Sequence, residues 1–232
     1  MALVKFGGGI VQLTGSLGGD TFARNRSGNY VRARTKPINP NTAKQVLVRA
    51  VLADLTTRWA QTLTSTQRAA WNLYASSVAM KNRLGESIFL TGFNHYIRSN
   101  HWFGRMGRTF VDDGPTVFEL PSMDPAMVVS ASEATQQVTM TFDDTQAWCS
   151  EDDAMLVILQ SQGQNPQRNF FAGPWTGRSA KVGASGVPIT SPMDYASITV
   201  LSAGQRFWSQ FRILRADGRL SQPFTANAFC AA

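Results

Sequence analysis

Histidine and cysteine are scarce in this chain of 232 residues, with two of each: His95, His101, Cys149 and Cys230. On a helix, histidines six positions apart point to different faces, which argues against a shared metal. Each is read as a surface or interface residue. The cysteines are too few for a disulfide framework, and neither has a second one at metal-ligand spacing. Two reduced, partly buried thiols are expected, with a single bridge tying down the C-terminus as the alternative. No apolar run reaches the ~18–20 residues of a membrane span. The N-terminus lacks the basic start, long apolar run and small-residue cleavage site of a signal peptide, so a soluble protein without a cleaved signal is expected. Gly7-Gly8-Gly9 and Gly18-Gly19 lack a Walker lysine and a preceding buried strand, so a phosphate cradle has weak support. No nucleophile motif pairs with a histidine. Asp112-Asp113 and Glu151-Asp152-Asp153 lack the spacing of a calcium loop and read as solvated loop charge. Nothing in the spacing pairs Asp152 with Asp143 or Asp144 as hydrolase acids. The expectation is a protein that is not an enzyme, with no catalytic residue, cofactor or metal.

Acidic residues are scarce in the first half. Residues 1–110 hold fifteen Lys/Arg and three Asp/Glu, a net of +12, whereas residues 111–232 hold seven and twelve, a net of −5. Such polarity implies two surfaces with different neighbours, nucleic acid or acidic protein for the basic half, or head-to-tail attraction between copies. Hydrophobic residues at 43% suffice for a buried core.

Residues 1–40 are rich in glycine, then in arginine. Phe22, Arg24 and Arg26 share one face of an expected strand, and Tyr30, Arg32 and Arg34 share a face of the next, around a turn at Ser27-Gly28-Asn29. A two-stranded ribbon is marginal alone in water, so it should pack on another element or subunit. Phe22, Arg24, Arg26, Tyr30, Arg32, Arg34 and Lys36 are the candidate interface or nucleic-acid contacts. Arginine and tyrosine suit either role, and a protein-binding arm is favoured because no DNA-reading helix accompanies them. Asn39 with Pro40, or Asn41 or Thr42, can open a helix running to about Leu63. Its apolar stripe is Val48, Leu52, Leu55 and Trp59, with Leu47 and Val51 beside it. Thr64-Ser-Thr-Gln67 forms a capping box for a second helix carrying Trp71, Tyr74 and Val78. The short gap implies a helical hairpin in which Trp59, Trp71 and Tyr74 pack. After a loop with Gly85, Thr91 can cap a third helix with Phe93, Tyr96, Ile97 and Asn100.

Three prolines and a run of acids make residues 111–125 a linker. Beyond it the pattern alternates: Val138, Met140 and Phe142; Ile198 and Val200; Phe207, Ser209, Phe211 and Ile213. Met155 to Leu159 is a continuous apolar run suited to a central strand. The expected class is α+β. It comprises an N-terminal β-ribbon arm and helical hairpin (1–110), the linker (111–125) and a C-terminal antiparallel β-sandwich (126–232).

Several of these residues together resemble a known group. They are the segment Phe22 to Arg34, Pro37 to Gln45, Arg49, Trp59, Leu63-Thr64, Gln67 to Trp71, Tyr74-Ala75 and Leu90-Thr-Gly-Phe-Asn94. In that order, across roughly residues 15–100, they resemble a family of tailed-bacteriophage virion structural proteins. The resemblance implies a non-enzymatic head–tail junction, capsid-associated or tail protein. Its expected partners are portal, capsid or tail subunits and copies of itself, with no membrane. Its expected place is the virion, and the host cytoplasm during assembly. A DNA-binding accessory protein using the same arginines is the alternative. Phe207 to Pro223 is similar to the penultimate strand of fibronectin type III domains and the Gly/Ser/Pro turn after it. Phe142 or Trp148 would stand in for the early core tryptophan of those domains, which implies an immunoglobulin- or fibronectin-like sandwich.

Overall fold

The computed structural model describes residues 2–25, 28–81 and 86–232. The chain divides into two compact units, Met1–Ala43 and Lys44–Ala232. Helices and strands are both present, so the protein is broadly α+β.

In the first unit, β1 (Ala2–Leu3), β2 (Gly15–Leu17), β3 (Asp20–Asn25) and β4 (Gly28–Ala33) form one antiparallel sheet in the order β1-β4-β3-β2. The expected two-stranded ribbon is thus the centre of a four-stranded sheet, with β1 and β2 paired along its two edges. Leu17 pairs with Asp20, leaving a two-residue turn at Gly18-Gly19. Gly18 there has φ +58, a conformation that favours glycine. Pairing of β3 with β4 ends at Asn25 opposite Gly28. Of the expected turn residues, Ser27 lies outside the described residues, as does Arg26.

The second unit begins with helix α1 (Ala43–Thr57), which runs on as a π-helical turn over Arg58–Thr62. Helix α2 (Ser65–Ser77) opens on the expected capping box. The Gln67 N–H donates to Thr64 Oγ1 at 3.2 Å, and the Thr64 N–H donates to Gln67 Oε1 at 2.9 Å. Two short strands, β5 (Met80–Lys81) and β6 (Ser87–Ile88), pair antiparallel. The loop read around Gly85 lies outside the described residues. Helix α3 (Gly92–Arg105) is capped by Thr91, which accepts from the Asn94 N–H at 3.3 Å.

The buried stripe of α1 is Val51 and Leu55, whereas Leu52 of the expected stripe is exposed. The helix also starts later than Pro40. Asn39 instead accepts from the Asn41 N–H at 3.4 Å ahead of the helix. The two tryptophans do not meet each other. Trp59 and Trp71 both approach Tyr96 of α3, with ring centroids 5.4 and 5.6 Å away. Tyr96 of α3 therefore joins the two tryptophans, and α2 packs against α3.

Seven strands complete the unit: β7 (Val128–Ser132), β8 (Gln137–Thr141), β9 (Met155–Gln160), β10 (Thr176–Val182), β11 (Met193–Ala196), β12 (Arg206–Leu214) and β13 (Phe224–Ala231). They are ordered β10-β9-β12-β13-β7-β8-β11. All pairs are antiparallel except β13 with β7. Val138, Met140 and Phe142 point inward as expected, as do Phe207, Phe211 and Ile213. Phe142 and Trp148 share that core, 5.6 Å apart. Ile198 and Val200 form no strand. The edge strand is β11, just before them, and Val200 is exposed.

The apolar run in β9 follows from burial on both faces. Leu156 and Ile158 enter the core between the strands. Met155 and Val157 point the other way, where they pack with Trp102 and Phe103 of α3 and with Leu214 and Leu220. Residues 111–125 lie inside the second unit, where Val111, Asp112 and Asp113 bond to the helices and Asp124 accepts from the Ala126 and Asp143 N–H groups.

Candidate interaction surfaces

Strand register decides what the basic ribbon presents. Directly opposed residues of an antiparallel pair share a face. Phe22 pairs with Val31 and Arg24 with Asn29, while Thr21 pairs with Arg32 and Ala23 with Tyr30. Phe22 and Arg24 therefore occupy one face, and Tyr30 and Arg32 occupy the other. Phe22 meets the ring of Phe6 at 6.4 Å, and Arg24 donates to Gln12 Oε1 at 3.3 Å. Arg34 follows the strand and donates its backbone N–H to Gly19 O at 2.7 Å. Arg24, Arg32, Arg34 and Lys36 are all exposed. Among the described residues 4–43, none is buried.

The helical site is tighter. Arg58 donates Nε and Nη2 to the two carboxylate oxygens of Asp112 at 2.7 and 2.6 Å. Trp71 Nε1 donates to Asp112 O at 2.9 Å, and the Tyr96 hydroxyl donates to Asp112 Oδ1 at 3.3 Å. Asp112 is thus a partly buried clamp, which corrects its reading as solvated loop charge. Such fork-on-carboxylate pairs are charge-assisted and directional. The pair holds Arg58 above its usual guanidinium range, chiefly through the hydrogen bond to Asp112. Asp113 accepts from Gln67 Nε2 at 3.0 Å. Within the second acidic run, Glu151 pairs with Arg215, Asp152 accepts from Ser185, and Asp153 pairs with Arg108. Among the described residues, no three His, Cys, Asp or Glu converge as a metal site requires.

Burial also corrects the reading of His95. It is fully buried, edge-on to Tyr74 at 5.1 Å. Neither ring nitrogen has a protein hydrogen-bond partner. Burial, then the nearby Arg98 charge, pushes it down to about 4. Burial likewise raises the Tyr74 hydroxyl to about 12. Arg98 is lowered to about 10 by burial, then by Arg212. Its two terminal nitrogens donate to Leu220 O and Ser221 O at 2.7 and 2.6 Å. His101 approaches Arg105 Nη1 at 3.2 Å. Cys149 and Cys230 are buried, unpaired thiols in the inter-strand core. Burial raises the Cys149 thiol to about 12, far from a reactive thiolate.

One surface has no counterpart in the sequence reading. Phe171, Trp208, Phe229, Arg168 and Arg206 assemble on the outer face of β12 and β13. The alternation of β12 separates inward Phe207 from outward Trp208. The residues of the loop after β9 carry no periodicity that would bring Phe171 there.

The chain matches no protein-family model and no curated protein. Among solved structures, the chain is similar to a family 76 glycoside hydrolase from a bovine Bacteroides thetaiotaomicron strain. That match has a TM-score of 0.31 at 13% identity, over 47% of this chain and 20% of that one. It is similar to an Fn3-like protein from Clostridium thermocellum with a TM-score of 0.30 at 9% identity, over 46% of this chain and 90% of that one. A third similarity is to a beta-1,2-glucanase from Parabacteroides distasonis, with a TM-score of 0.25 at 14% identity, over 51% of this chain and 14% of that one. This chain spans about a fifth of the first of these proteins, and likenesses of this size identify neither a family nor an activity.

Proposed function

We propose that the chain is a non-enzymatic structural component of a tailed-phage virion, acting through subunit–subunit contacts at the head–tail junction, on the capsid or in the tail. One observation carries this reading: none of residues 4–24 and 28–43, which include most of the N-terminal sheet, is buried. Ordering backbone costs roughly 1–2 kcal/mol per residue. Apolar burial offsets that cost at about 25 cal/mol per Å². A sheet without a core gains too little by itself and calls for an external surface. Phe22, Tyr30 and the arm arginines are suited to supply the contact. In this reading the first unit is an assembly arm.

The strand order supports a fibronectin type III-like sandwich for residues 126–232. In this reading the first, second and fifth strands of the set would form one layer and the fourth, third, sixth and seventh the other, the two continuous where β13 pairs with β7. The sandwich would make lateral contacts or project from the particle. Mass spectrometry of purified particles tests the assignment, with the chain expected at stoichiometric abundance. Its absence from intact virions despite expression would sink it.

The DNA-binding alternative draws on the exposed Arg24, Arg32, Arg34 and Lys36. The split of Arg24 and Arg32 between two faces weakens it, because a single phosphate track meets one face. It requires steeply salt-dependent DNA binding that is lost when these arginines become alanine. Undetectable or salt-insensitive binding rejects it.

A further inference from the structure

Strand β12 carries unlike surfaces near its opposite ends. At its start, Arg206 lies between the rings of Trp208, at 5.2 Å, and Phe229, at 5.4 Å. Phe171 stacks on Trp208 with centroids 5.6 Å apart and planes inclined by 20°. Arg168 sits over Phe171 at 5.1 Å. The Arg206 guanidinium is fixed by Asn227 Oδ1, Asn169 Oδ1 and the Arg168 carbonyl, at 2.7–3.0 Å. Neither Arg168 nor Arg206 has a carboxylate partner among the described residues. Phe170 and Phe229 are 74% and 56% exposed. Further along the same outer face, α3 covers Met155, Val157 and Leu214. Exposed rings beside fixed arginines are the composition of an interface centre.

The other end of β12 meets Pro121 and Ser122, which line a shallow cavity with Ile213 and Arg215. Just before Pro121, Val117 and Phe118 are 40% and 47% exposed. Glu119 follows them, also exposed. Of the twelve Asp/Glu in residues 111–232, eleven accept a hydrogen bond or pair with a base, and Glu119 alone does neither among the described residues. The nine residues of β12 set its Arg206 end about 30 Å from the end that meets Pro121.

We propose that the Phe118-Glu119 segment of one copy docks on the Arg168–Arg206 aromatic surface of a second copy. Phe118 packs among Phe170 and Phe229, and Glu119 neutralises Arg168. The chain itself supplies both halves of the match: an unpaired acid beside an exposed ring, and beside other exposed rings two bases that donate only to neutral acceptors, Arg168 to Phe170 O and Gln164 Oε1 at 2.8 and 2.6 Å. The two surfaces are different, so the contact is head to tail. Repeated, it closes into a ring or grows as a filament. The inference deepens the assembly reading and rests on it, yet the two fail separately. Absence from particles leaves self-association standing, and a monomeric chain in particles leaves the virion assignment standing.

Sedimentation velocity of the full chain over a concentration series is the test. The wild-type chain is expected to self-associate. Glu119→Arg and Arg168→Glu should each weaken association by roughly tenfold or more. The double reversal should restore it, as no change in folding would. Phe170→Ala, at an exposed position, should weaken association without lowering the unfolding midpoint. A chain that stays monomeric throughout the series overturns the proposal. So does association untouched by both reversals, or a double variant no stronger than the singles.

Discussion

Single residues in this protein act through what surrounds them, and His95 is the clearest case. Its ring is fully buried beside Tyr74, and burial with the Arg98 charge lowers it from 6.5 to about 4. Between those values the unfolded chain binds a proton that the folded chain refuses. Stability from this group is therefore full above about pH 6.5 and falls as pH drops toward 4, below which the folded form also takes up the proton. The shift corresponds to about 3 kcal/mol. Urea unfolding at pH 7.5 and pH 4.5 should show His95→Phe losing less stability on acidification than the wild type. Equal losses would mean that another group governs the acid limb. A sequence window around His95 offers no hint of this. The helical periodicity places His95 on α3, and only the packing of α2 against it removes the solvent.

At the scale of elements, the crossing of α2 and α3 depends on one missing side chain. A Cβ added at Gly92 would lie 2.3 Å from Asn72 Oδ1, 2.7 Å from the Asn72 backbone nitrogen and 2.8 Å from the Trp71 carbonyl carbon. The backbone atoms cannot step aside as a flexible side chain can. Gly92→Ala should cost about 1–3 kcal/mol through overpacking. Guanidinium unfolding would register it as a lower midpoint with an unchanged slope. A neutral substitution would show that the helices slide apart freely. The motif Leu90-Thr-Gly-Phe-Asn94 thus has two separable physical roles: Thr91 accepts from the Asn94 N–H at the cap, and Gly92 allows the close approach. The cap was legible in the sequence, because its donor and acceptor are three positions apart. The close approach was not, since its partner lies twenty positions upstream.

For the whole molecule, the contrast is between a unit with a core and a unit without one. Lys44–Ala232 buries Trp71, Trp148, Tyr96, Phe207 and Phe211, among others. Met1–Ala43 buries none of its described residues 4–43. Local opening follows low burial and solvent-exposed hydrogen bonds. Brief proteolysis at low protease should therefore remove the arm first and leave a resistant fragment beginning near Lys44. Amides of β3 and β4 should exchange well before those of β9 and β12. An arm as protected as the β-strands in the isolated chain would contradict this and would undercut the need for an external partner.

Local patterns determined the caps of α2 and α3, the alternation in β8 and β12 and the change from helices to strands, because each rests on residues a few positions apart. The seven charged or aromatic candidates in the arm were visible in the same way. Only the tertiary structure decided which faces Phe22, Arg24, Tyr30 and Arg32 occupy, because register flips a strand's whole set of side chains at once. It also decided that Asp112 is a clamp, that Trp59 and Trp71 meet through Tyr96, and that Phe171 lies on Trp208. Each of these joins residues across a long loop or a sheet, where proximity is set by packing and not by spacing along the chain.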